Sequence, residues 1–123
     1  MRLGEIYLWE SNRAQGRDKR RKYHVFIGDD VDGNKVFLFI NTADWYQDYK
    51  IAQASYDFLT YDSFVGCGAA LTYTAAEIEA AAPNLVGELS KADLKGVRDA
   101  IIAAETMEQR DASFVCGILA TIL

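Results

Sequence analysis

At Thr74 the hydrophobic pattern of this sequence changes period, and the change limits the chain to two kinds of structure joined in a fixed order. Before it, residues 5–9, 22–28 and 35–42 are rich in β-branched and aromatic side chains and read as strands. Ile6 and Leu8 fall on one side of the first strand, Tyr7 and Trp9 on the other, and Asp32-Gly33 marks a hairpin turn between the second and third. Residues 44–56 break this pattern, residues 63–65 and 70–73 return as short strands, and Gly66 and Gly68 between them indicate a bend or bulge. After Thr74 the signals are helical. Thr74-Ala75-Ala76-Glu77 is a capping box with Tyr73 and Ile78 as its hydrophobic staple, and Pro83 disfavours helical geometry at Ala82. Ser90 starts a second helix on which Leu94, Val97 and Ile101 share a face, and residues 111–123 space Phe114, Ile118 and Ile122 helically. The expected architecture is mainly β with α: a small β body to about residue 73, then a helical last third.

With 123 residues, 50% of them hydrophobic, the chain has the size of one domain, 1–123, with a helical extension from about 108 to 123. No apolar run approaches the roughly 18 to 20 residues of a membrane helix, and the N-terminus lacks a signal-like pattern, so a cytoplasmic protein without a membrane partner is expected. Cys67, Cys116 and the single histidine do not make a structural zinc set, and no nucleotide-binding or nucleophile-elbow motif is present. No cofactor or metal is therefore expected, and buried, reduced thiols are. The net charge of −5 conceals an asymmetry. Between residues 10 and 22 stand six cations, Arg13, Arg17, Lys19, Arg20, Arg21 and Lys22, against Glu10 and Asp18, giving +4 there and −9 elsewhere. Like charges at this density repel one another unless an anionic partner or the protein's own acidic face compensates.

Several blocks, in this order, resemble the PemK/MazF family of toxin–antitoxin proteins. Gly4-Glu5-Ile6-Tyr7-Leu8 is similar to the family's opening strand, and the basic loop running into Lys22-Tyr23-His24-Val25-Phe26-Ile27 to its second. Ser63-Phe64-Val65-Gly66-Cys67 resembles the strand that ends the barrel, and Leu85-Val86-Gly87-Glu88-Leu89-Ser90 the approach to the last helix. The resemblance implies an SH3-like barrel followed by helices. It also implies a homodimeric, metal-independent endoribonuclease that cleaves single-stranded RNA and is neutralised by an acidic antitoxin. Thr42 matches a family threonine proposed to assist catalysis. The sequence departs from the family at Lys22-Tyr23, where arginine and proline are usual, and at Gly66 and Gly68, where some members carry arginine and aspartate.

Metal-free RNA cleavage needs a base for the ribose 2′-OH, an acid for the leaving oxygen and cations or amides around the phosphorane. Lys22, Thr42 and His24 are the candidate catalytic residues; Arg17, Lys19, Arg20, Arg21, Asp44 and Ser63 are candidates for binding RNA. His24 follows Lys22 on the same strand face and has an ordinary pKa suited to proton transfer, although a strand histidine is also a common barrel residue. Trp45, Tyr46, Tyr49, Tyr56 and Tyr61 either stack on unpaired bases or fill the core and a subunit contact. Two other functions fit the same residues. In one, the barrel has lost catalysis and binds RNA or an acidic peptide. In the other, it is a phage or mobile-element accessory protein that occupies a host protein through its acidic faces. The apolar tail from Phe114 onward is expected to pack on the barrel or to form a homodimer.

Overall fold

The computed structural model describes residues 1–11 and 20–122, and shows a curled antiparallel sheet, a half-barrel, followed by helices. The strands are β1 (Glu5–Ser11), β2 (Arg20–Asp29), β3 (Lys35–Asn41), β4 (Tyr49–Ile51), β5 (Ser63–Val65), β6 (Leu71–Tyr73) and β7 (Asn84–Glu88). The helices are α1 (Ala75–Ala81), α2 (Lys91–Ala104) and α3 (Gln109–Ala120). The sheet runs β4-β5-β3-β2-β1-β7, with β6 pairing the other end of β3. Its centre is the β2–β3 hairpin. Asp30 Oδ1 accepts from the backbone of Asp32 and Asn34, both at 2.9 Å, and Gly33 takes φ +79°, a conformation glycine adopts without the penalty of a Cβ.

A bulge between Phe26 and Gly28 shifts the hairpin register by one residue. Beyond it Tyr23 pairs with Ile40 and His24 with Phe39, so Lys22 comes opposite Asn41 rather than Thr42. The two sheet faces are covered differently. On one, Ile6, Val25, Ile27, Val36, Leu38 and Ile40 pack with Leu94, Val97 and Ile101 of α2 and Val115 and Leu119 of α3. Alternate residues of the same strands, Tyr7, Trp9, Phe26 and Phe37, form a second cluster closed by Tyr73 and by Ile78 of α1. Both helix caps form as the sequence indicates. Thr74 and Glu77 make the reciprocal capping box, and Ser90 Oγ accepts from Asp93 N at 3.1 Å, contacts typically worth about 1 kcal/mol each.

The last third is not purely helical. Residues 84–88, read from sequence as the approach to α2, form β7 against β1, because the turn after Ala82 brings them beside an otherwise unpaired strand edge. Ala82 itself takes φ +49° before Pro83 and ends α1 there. The tail packs within the chain: α3 lies against α2 and β2, leaving Val115 and Leu119 with no exposed surface. No helix is long and apolar enough to cross a membrane among the described residues.

Candidate nucleic-acid interface

The second face of the sheet is closed only over part of its length. Past α1 and β6, the ends of β2 and β3 and the loop after β3 border an open cavity of about 260 Å³. Arg20 and Lys22 of β2, Phe39 and Asn41 of β3, Thr42, Trp45, Tyr46 and Asp48 of the following loop, and Gly66 and Gly68 after β5 all contribute to its wall.

Lys22 Nζ donates to Asn41 Oδ1 at 2.5 Å and lies 5.2 Å from the centre of the Phe39 ring. Burial, with Arg20 nearby, lowers its pKa from the ordinary lysine value. The loop that carries the aromatics is held from within. Asp48 Oδ1 accepts from Cys67 N at 2.8 Å and Oδ2 from Trp45 N at 3.0 Å, while Asp44 Oδ1 accepts from Asp48 N at 2.8 Å. Gln47 between them takes φ +55°, an unusual conformation for a residue with a Cβ. The loop so fixed presents Trp45 and Tyr46 at 53% and 51% exposure, too much for core residues. Tyr46 lies directly on Gly68, where an added Cβ would fall 2.6 Å from its ring. The missing side chain at Gly68 is thus replaced by an aromatic face.

Lys22, Thr42 and Arg20 come together in this cavity. His24 does not join them. It has no exposed surface, stacks on Trp9 with ring centres 3.4 Å apart and planes 5° from parallel, and meets Phe37, Phe39 and Tyr73 edge-on. Its Nδ1–H donates to the Lys22 carbonyl at 2.9 Å and its Nε2 accepts from the Tyr73 hydroxyl at 3.3 Å. Burial pushes its pKa down to about 3, against a smaller opposing effect of the Lys22 and Tyr7 backbone carbonyls. A histidine so enclosed cannot serve as the base expected of it from sequence. Strand parity places it beside Lys22, but the covering by Trp9 and Tyr73 lies beyond what parity reports.

Of the other described candidates, Arg21, Asp44 and Ser63 do not line the cavity. Arg21 is exposed opposite Glu10 on β1. Ser63 is buried and donates to the Tyr61 carbonyl at 3.0 Å, and Asp44 serves the loop as described. Arg17 and Lys19 lie outside the described residues. Of the aromatics, Tyr49 and Tyr56 both donate to the Asp93 carboxylate, the former at 2.7 Å, and so tie the β4 region to the start of α2. Cys67 is buried, and burial raises its thiol pKa to about 12, which makes it inert. No group of three or more His, Cys, Asp or Glu side chains that could hold a metal occurs among the described residues. Asn41 is the site residue that sequence reasoning missed: without the bulge, the hairpin register places Thr42 opposite Lys22.

The chain matches no protein-family model and no curated protein sequence.

Proposed function

We propose that the open end of the sheet binds single-stranded RNA, Lys22 and Arg20 meeting phosphate while Trp45 and Tyr46 stack on bases. The observation that carries this reading is the convergence of two cations and two exposed aromatic rings on one cavity of a protein whose net charge is −5. Cation-lined grooves with aromatic platforms are the usual way of gripping unpaired bases. A net negative surface discourages binding of polyanions elsewhere.

Binding without cleavage is the form of this function that the geometry supports best, in a PemK/MazF-like barrel that has lost its chemistry. Among the described residues, neither His24 nor Asp48 has the freedom a general base needs: the histidine is enclosed, and both Asp48 oxygens accept backbone hydrogen bonds. Metal-independent cleavage in the manner of that family is the second reading. One observation favours it, the presence of Lys22 and Thr42 in the same cavity. A partly buried ammonium gives up its proton more readily, as the acid for a leaving oxygen must. An acidic antitoxin-like peptide would compete with RNA for the same cations.

Incubating a long, labelled single-stranded RNA with the protein in EDTA separates these readings. Retarded but intact RNA, with retardation weakened by Lys22→Ala and kept by Thr42→Ala, is the expected result. Discrete cuts abolished by both substitutions would establish cleavage instead. Neither binding nor cutting would overturn both readings and turn attention to a protein partner.

A further inference from the structure

Two stretches distant in sequence meet in the wall of the open cavity, the loop after β3 at Tyr46 and the segment between β5 and β6 at Gly68. Carbon atoms in contact stand about 3.5–4.0 Å apart. A Cβ at position 68 would lie 2.6 Å from Tyr46 Cδ2, 2.7 Å from Cγ and 3.1 Å from Cβ, so an alanine and the ring cannot share the space. These atoms form the root of the tyrosine side chain, and no adjustment at its tip relieves the overlap. The loop is also held against the segment, since Asp48 Oδ1 accepts from the N–H of Cys67, the residue before Gly68, at 2.8 Å. Backbone conformation does not call for glycine here: the glycines with positive φ among the described residues are Gly4 and Gly33. At Gly66, in the same wall, a Cβ would meet the Phe39 carbonyl oxygen at 3.5 Å and Asn41 Nδ2 at 3.6 Å, both ordinary contacts. Room for one ring is what distinguishes Gly68.

We propose that Gly68 is a positioning residue: it seats the Tyr46 ring in the cavity wall as a stacking platform formed before RNA arrives. The inference rests on the RNA-binding reading and adds how one of its two rings is held. Tyr46 stays 51% exposed on this seat, so the ring is fixed at its root and open to a base beyond it. A mobile aromatic side chain loses rotamer freedom when a base stacks on it, whereas one already held does not. A methyl at position 68 turns the ring out into solvent and removes the platform without itself meeting the RNA.

Anisotropy titrations of a labelled oligouridylate at one salt concentration, with the wild type, Gly68→Ala, Tyr46→Ala and the double variant, form a cycle that tests this. Gly68→Ala is expected to weaken binding by about fivefold or more, the lower end of what one stacked base contributes. In the Tyr46→Ala background the same substitution should change affinity by less than about twofold, the usual scatter of independent sites. There the displaced ring is already gone, and of the three close atoms only the residue 46 Cβ, at 3.1 Å, remains. The urea unfolding midpoint, lowered in Gly68→Ala, should return in the double variant to that of Tyr46→Ala. Equal weakening in both backgrounds would mean that the methyl acts on RNA directly, and wild-type affinity of Gly68→Ala that the seat is dispensable; either overturns the role of Gly68 while leaving RNA binding intact. A Gly68→Ala chain that does not fold by circular dichroism would overturn it as well, since displacing one half-exposed ring does not unfold a sheet. Wild-type affinity of Tyr46→Ala, or no binding by the wild type, would instead overturn the RNA-binding reading on which the inference rests.

Discussion

His24 and Lys22 stand two residues apart on the same face of the same strand, yet they occupy opposite environments. His24 has no exposed surface and is sealed among Trp9, Phe37, Phe39 and Tyr73. Lys22 lies just beyond that aromatic cluster and borders open space. Alternation along a strand fixes which face a side chain joins, but the extent of the covering elements decides whether that face is core or site. The opposite face, covered along its length by α2 and α3, offers no such transition. One sheet face thus combines a packed half and an open half.

The contrast is tested most severely at the sealed half. Phe37 has no exposed surface and meets Trp9, His24, Phe26 and Tyr73, so Phe37→Ala should cost about 3–5 kcal/mol in urea denaturation. A loss under about 1 kcal/mol would mean that this half is not a packed core. Acid should expose the same difference. The folded pKa of His24, about 3, lies below its ordinary 6.5, so the unfolded chain takes up the proton first. Stability is full above pH 6.5 and declines as pH falls below it, by about 2 kcal/mol between pH 7 and pH 5. Glu5, whose carboxyl is held below its ordinary 4.5 chiefly by the Arg2 backbone N–H, adds to the loss only at lower pH. His24→Phe should flatten the slope between pH 7 and pH 5; an unchanged slope would place the titrating group elsewhere.

At the open half, substitutions should affect binding more than folding. Trp45→Ala is expected to weaken RNA binding by about 1–3 kcal/mol, the usual worth of one stacked base. Its unfolding midpoint should move little, since half the side chain is already in water. The smallest effect on stability is expected from Lys22→Met, which removes a half-buried charge and retains the contact with Phe39, for a change within about 1 kcal/mol. Its signature lies in binding: the slope of log affinity against log salt should fall by about one phosphate contact. A variant with an unaltered slope would show that Lys22 does not meet phosphate.

Much of the architecture was legible because local signals and tertiary packing agree. The β2–β3 hairpin follows from Asp32-Gly33 between two apolar runs, and the starts of α1 and α2 from Thr74 and Ser90 with their staples. Two strands were not legible. β4 is three residues long, and β7 contains Gly87 and follows Pro83, so neither carries a period; both owe their state to the neighbour they pair with. In the candidate site, Lys22 and Arg20 stood out by their charge, whereas Thr42 was expected only from the family resemblance; all three line the cavity. The enclosure of His24 depends on Tyr73, which is 49 residues distant in the chain. The pairing of Asn41 with Lys22 depends on the bulge before Gly28, which no local pattern announces.

The most direct test of the central claim uses the protein's own two tryptophans. Trp9 is buried at 5% exposure and Trp45 is open at 53%, so single-tryptophan variants, Trp9→Phe and Trp45→Phe, report the two halves of the face separately. Titrating single-stranded RNA into each should quench the emission of Trp45 in the first and leave that of Trp9 in the second unchanged. RNA that binds to both variants without altering Trp45 would place the nucleic acid elsewhere on the molecule and contradict the claim.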